Sequence, residues 1–188
     1  MIGIIRHSKT IEEAGHAVVA RKLALAVKRV SIRANEAHAL TQSASYLARN
    51  LDVPAQMKAL EQDAIVALAG HVANQRERSY LPDLDVFDFS DDADDDAVLI
   101  RSAVYQIYCL MKNQPYEGGE VEINTAMQTA MMEIFLRLKR ETAALVETHW
   151  LAIKRVAKHL ERHGRIDDQA TLDELIERAE RMAQQQRS

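Results

Sequence analysis

The chain has one cysteine, three prolines and six glycines among 188 residues, and no long uninterrupted apolar run. Each scarcity excludes something. The single Cys109 rules out an internal disulfide and suits a reducing compartment; its place in an apolar run marks it as a core residue. The longest apolar stretch, Ala97 to Met111, is broken by Arg101 and falls short of the roughly 20 residues that cross a bilayer. No secretory signal is evident at the N-terminus. A soluble, cytoplasmic protein without a membrane partner is expected. A net charge of −4 argues against a dedicated nucleic-acid binder. Scarce Gly and Pro beside 47% hydrophobic residues point to an ordered, helix-rich chain. With no internal repeat or linker, residues 1–188 are expected to form one domain.

The periodicity predicts a first helix over about 10–26, a short strand over Lys28–Ile32 and a second extended piece around His38–Thr41. A helix follows over about 54–74, with Leu60, Ile65, Val66, Leu68 and Ala69 on its apolar stripe. Its Ala67-Leu68-Ala69-Gly70-His71 segment is rich in small residues and allows close helix packing. An irregular connection covers Pro82–Ser90, and an acidic run then opens a helix reaching about Met111. After a break at Asn113–Gly119, C-terminal helices fill 122–182. The pattern from Glu122 to His163 is too long for one ordinary helix and implies two, or one that bends. Gly164-Arg165-Ile166-Asp167 ends it before a last helix over about 169–182.

Chemistry concentrates in Ile11-Glu12-Glu13-Ala14-Gly15-His16-Ala17. Metallopeptidase helices carry H-E-x-x-H, two His one turn apart that grip a metal and a Glu that acts as general base. Here the second His is His16, the base position is Glu13, and Glu12 stands at the first His. Residues four apart share a helix face, so Glu12 and His16 can reach one ion, while Glu13 lies about 100° round the helix. Gly15 costs about 1 kcal/mol relative to alanine inside a helix, which makes sense if something approaches the backbone closely. A purely structural reading is also open. Thr10 and Glu13 fit a capping box, and acidic residues suit the first turn of a helix.

Five of the six residues from Asp91 to Asp96 are aspartates. One or two would serve as caps, and the run could equally be a solvated acidic surface. The pattern fits no EF-hand loop. A carboxylate at this helix start could also supply a third metal ligand.

Thr10 to Ile32 resembles the start of the peptidase domain of FtsH-type ATP-dependent zinc metalloproteases, where an H-E-A-G-H-A helix precedes a K-V-T-I-like strand. Here the residues are E-E-A-G-H-A and Lys28-Arg29-Val30-Ser31-Ile32. Ala64–Gly70 is similar to that family's helix carrying L-x-G-G-R-x-A-E-E, with His71 at the second glycine and Asn74-Gln75 in place of the acidic pair. The aspartate run falls where the family has an S-N-D-I-like turn bearing its third zinc ligand. The apolar residues that follow match Asp96, through Ala97, Leu99, Ile100, Ala103 and Val104, better than Asp95. Ala157-x-x-Leu160 and Gly164–Asp167 resemble the closing helices and their T-I-D turn, so the likeness runs over roughly 7–180.

The resemblance implies a mainly α, zincin-like helical peptidase domain with a short strand or hairpin after the motif helix. It implies Glu12, His16 and Asp96 as metal ligands, with Asp95 in reserve, and Glu13 as the catalytic base. An extended polypeptide would pair with the strand at Val30, Ser31 and Ile32, or with its neighbour around Ala39–Thr41. The cofactor would be one divalent transition metal, Zn²⁺ first, with two carboxylates shifting preference toward Mn²⁺ or Fe²⁺. The family's ATPase module and membrane anchor have no counterpart here, so a stand-alone peptidase-like domain is expected. The alternatives are a degenerate, non-catalytic homologue that binds peptides or a partner protein through the old cleft, and a helical assembly protein that keeps only the scaffold. His7 could replace the missing ligand if the chain turned back. His38 and His71 read as surface or structural, and His149, His159 and His163 lie on the C-terminal helices. Trp150, Met127, Met131 and Met132 read as core or as a homo-oligomer seam.

Overall fold

A computed structural model of the chain describes residues 2–33, 38–78, 95–116 and 124–185. Helix α1 spans Ile2–Lys22, so the motif lies in its interior and not at its start. Thr10 is therefore no N-cap: it is buried, and its hydroxyl donates to the His7 carbonyl one turn back, at 2.7 Å. The helix also stops short of Ala26. Ala24 adopts the left-handed conformation at φ 61°. Its N–H reaches the Arg21 carbonyl, while that of Leu25 reaches Ala20. This pair of bonds is a Schellman closure, with buried Leu25 as its apolar contact.

The chain then forms β1 (Val27–Ser31) and β2 (His38–Thr41), and a third strand, β3 (Arg165–Ile166), arrives from far along the sequence. The antiparallel order is β2-β1-β3. An irregularity between Val27 and Arg29 inserts one extra residue into β1. Val27 and Val30 would face opposite sides of a regular strand; the inserted residue lets both be buried.

Helix α2 (Ala44–Ala48) follows β2, and α3 (Val53–Glu77) begins behind the Asp52 cap, whose side chain accepts from Ala55 N–H. Helix α3 packs against α1, α2, α4 (Asp95–Met111) and α5 (Thr125–Thr148). The long C-terminal pattern is two helices, α5 and α6 (Trp150–His163), with the break at His149. Gly164, at φ 79°, closes α6. Helix α7 (Gln169–Gln185) lies against α6.

One hydrophobic cluster joins these elements through Val18, Leu68, Ile100, Leu138, Ile153 and Leu172, among others. Each such burial contributes about 1.5–3 kcal/mol against solvent exposure. Cys109, Met127, Met131 and Trp150 are buried and Met132 is partly so. The Arg76 guanidinium stacks on Trp150 at 4.0 Å. Among the described residues the protein is mainly helical, with one small antiparallel sheet. No helix among them is long and apolar enough to cross a membrane. Pro82–Ser90 and the first four positions of the acidic run fall outside the described residues.

Candidate metal centre

The α1/α3 crossing sets the geometry. An ideal Cβ at Gly15 would stand 2.7 Å from the Ala69 carbonyl oxygen and 3.0 Å from Ala73 Cβ. The glycine that weakens α1 is thus what lets α3 approach its backbone. One residue along, Gly70 leaves space for the His16 ring, since a Cβ there would fall 2.2 Å from His16 Nε2. The small residues of both helices bring α3 under the motif face of α1.

That approach orients His16. Its Nδ1 lies 2.7 Å from the carbonyl oxygen of Val66. A carbonyl can only accept, so Nδ1 carries a proton and Nε2 is turned toward the third element of the site. There, Asp96 in the first turn of α4 places Oδ2 at 3.2 Å. Glu12, one turn before His16, completes the group. One ligand atom each from Glu12, His16 and Asp96 lie within 4.8 Å of one another. Asp95 lines the same cleft but is exposed and outside the triad.

Glu12 is held at both oxygens. Lys9 Nζ lies 3.2 Å from Oε1, and the Asn74 amide donates to Oε2 at 3.0 Å. Asn74 is buried and fixed in turn by Ser8, whose hydroxyl donates to its Oδ1 at 3.1 Å. The Glu13 side chain is only 3% exposed. Its Oε1 faces Lys9 Nζ at 3.2 Å, while Oε2 is buried without a hydrogen-bond partner. A buried carboxylate oxygen left unpaired carries a real desolvation penalty, and it belongs to a residue of the cleft wall.

The electrostatics follow from this arrangement. Burial alone would lower the His16 pKa, but the hydrogen bond and charge of Asp96, with the charge of Glu13, outweigh it and raise the imidazole to about 9. Burial pushes the Glu13 carboxyl up against the opposing pull of His16 and Lys9. Burial would lower Lys9, but the charges of Glu12 and Glu13 prevail and hold the ammonium above its usual value.

The triad opens into a cleft of about 510 Å³, walled by α1, α3, α4 and β2. Val30, Ser31 and Ile32 do not offer a free strand edge. Val30 and Ser31 pair with Ala39 and His38 on one side and with Ile166 and Arg165 on the other, and Ile32 N–H bonds to the Gly164 carbonyl. The small strand β3, not foreseen from the sequence, takes that edge. Among the described residues the unpaired edge belongs to β2, whose His38, Ala39 and Thr41 line the cleft.

Sequence reasoning passed over Asp63. Its carboxylate accepts from the backbone N–H of Ala44 at 2.6 Å and of Ser45 at 3.0 Å, and from the hydroxyls of Ser43 and Ser45. It ties the end of β2 to α3. Lys9 was also passed over, although its spacing from Glu12 and Glu13 is the one that brings side chains together on a helix. His7 is no substitute ligand: it bridges Glu161 at 2.6 Å and Glu77 at 3.2 Å. His149 Nδ1 faces Glu180 at 3.1 Å, and the rings of His159 and His163 stack with centroids 4.3 Å apart.

The donor set fits a divalent cation. Two carboxylates and an imidazole with a fixed tautomer converge from two helices, and an unpaired carboxylate oxygen lies beside them. The oxygen-rich donor set does not by itself fix which metal. In comparisons with known proteins, no family model matches the chain and no curated protein is recognisably similar to it in sequence.

Proposed function

We propose that this chain is a metal-dependent peptidase-like protein of zincin type, related to the peptidase domain of FtsH-type proteases. The observation that carries the reading is the convergence of Glu12, His16 and Asp96 beside a buried Glu13 whose Oε2 has no partner. Glu12, His16 and Asp96 would hold the ion. When bound, a divalent ion supplies Lewis-acid polarisation of the scissile carbonyl and makes the attacking water more acidic.

Glu13 supplies the proton transfer. Its carboxylate takes the proton of the attacking water and returns it to the leaving amine. Burial favours this, because a carboxylate with a raised pKa is a stronger base at neutral pH. The unpaired edge of β2 gives an extended peptide a place to add as a further strand, with its backbone running across the cleft beside Ala39 and Thr41. Asp63 keeps that wall in register with α3.

A second reading, a non-catalytic homologue that binds peptide or a partner protein in the same cleft, is favoured by one observation. Lys9 already offsets one of the two negative charges of Glu12 and Glu13 from within the chain. Hydrolysis of an unfolded polypeptide by the metal-loaded protein, compared with Glu13→Gln, separates the two. Loss of rate by about 10²-fold or more in the variant, with the ion retained, supports the peptidase. Peptide binding without Glu13-dependent cleavage supports the second reading.

A further inference from the structure

We infer that Lys9 is a resident cation of the site, one that a divalent ion must displace before Glu12 can act as a ligand. The inference rests on the metal-centre reading and concerns a residue outside the motif.

Three contacts carry it. Lys9 Nζ stands 3.2 Å from Glu12 Oε1 and 3.2 Å from Glu13 Oε1, bridging a proposed ligand and the proposed base. The remaining oxygen of Glu12 is taken by the Asn74 amide. Each oxygen of Glu12 thus already accepts one hydrogen bond, and a divalent ion at the triad has to use a remaining lone pair of a carboxylate that an ammonium also holds. It either stays beside that ammonium, two cations on one carboxylate, or drives the ammonium away. The second is geometrically open, because the Lys9 side chain is 38% exposed at the cleft and can swing into solvent on its flexible stem. Asn74 cannot leave as easily, being buried and fixed by Ser8.

Lys9 also answers a question posed by Glu12. A neutral histidine at position 12 would place no extra charge beside Glu13, whereas Glu12 sets two carboxylates side by side at the base of the cleft. Their mutual repulsion is relieved by one ammonium set between them. The consequence is an internal competitor. In the ion-free site the ammonium offsets part of the carboxylate charge, and the ion binds more weakly than the ligand set alone would allow. Once displaced, the ammonium stays tethered at the mouth of the cleft and re-enters as the ion leaves.

The test is a Mn²⁺ titration, followed by the electron paramagnetic resonance of the free ion, on the full chain and on Lys9→Met, Lys9→Gln and Lys22→Met. Lys22 lies on the same helix but pairs with Glu180, away from the cleft, so its loss removes the same charge without touching the site. Thermal unfolding shows whether each variant folds. Both Lys9 variants are expected to bind Mn²⁺ about tenfold or more tightly than the native chain, with Lys22→Met within about twofold of native. Equal gains in the Lys22 and Lys9 variants would reduce the effect to net charge and overturn the inference. Native and Lys9 variants binding equally well would overturn it and leave the metal centre standing. Absence of binding in every chain would remove the metal centre itself, and the inference with it.

Discussion

Gly70 lies so close beneath the His16 imidazole that a Cβ at position 70 would stand 2.2 Å from Nε2. The ring is clamped between that glycine and the Val66 carbonyl, so the direction of Nε2 is set by α3 rather than by α1. Gly70→Ala should push the ring off its bond to Val66 and weaken divalent-ion binding by about 10–100-fold, the usual effect of losing a ligand's orienting partner. Stability should fall as well, by about 1–3 kcal/mol for the buried hydrogen bond that the displaced ring gives up. The gain in helix propensity, about 1 kcal/mol, offsets part of an overpacking cost of about 1–3 kcal/mol. Calorimetric ion titration and thermal unfolding of the same variant check both halves.

Gly15→Ala should behave differently. Its Cβ would meet the backbone of Ala69, so the strain falls on the helix crossing and not on a ligand side chain. A net loss of about 1–2 kcal/mol is expected once helix propensity is subtracted, seen as a lower denaturant midpoint. A more stable variant would mean that α1 and α3 do not cross this closely.

Asn74→Ala removes the donor that fixes Glu12 Oε2 and leaves the Ser8 hydroxyl without its acceptor. Ion affinity should fall by about tenfold or more, and stability by about 1–3 kcal/mol for the broken buried network. Ion titration and urea unfolding read the two effects separately.

The pH dependence follows from His16. Its folded pKa of about 9 lies above the ordinary value of 6.5, so folding strengthens proton binding. The stability contributed by the protonated ring with Asp96 is fully present below about pH 6.5 and is lost as pH rises through about 9. Ion binding runs the other way. It must expel the Nε2 proton, so apparent affinity should rise by about tenfold per pH unit up to about 9. Ion-free unfolding from pH 6 to 10, and Mn²⁺ titrations from pH 6 to 8, measure the two trends.

Much of this was legible in the residues themselves. The i, i+4 pair Glu12–His16 needed only helical spacing, whereas the choice of Asp96 over Asp95 came from the resemblance, whose apolar offsets after the third ligand are matched from Asp96. Gly15 announced a close approach through its helix penalty. The limits of α1 were harder, because the Schellman closure uses Ala24, a residue that seldom adopts positive φ. Strand β3 was hidden for another reason. Two residues carry no periodicity, yet Arg165 and Ile166 occupy the edge of β1 and move the open edge to β2. Lys9, Asn74 and Asp63 act through partners distant in sequence or outside the motif, and motif matching does not look there.

The most direct measurement is the metal content of the chain purified without chelator, beside His16→Ala. His16 is the only imidazole in the triad, and its loss removes the one nitrogen ligand. About one equivalent of Zn²⁺, Mn²⁺ or Fe²⁺ in the native chain, and little in the variant, is the expected result. A native chain that takes up no ion even after incubation with Zn²⁺ or Mn²⁺ would contradict the metal centre, and with it the peptidase.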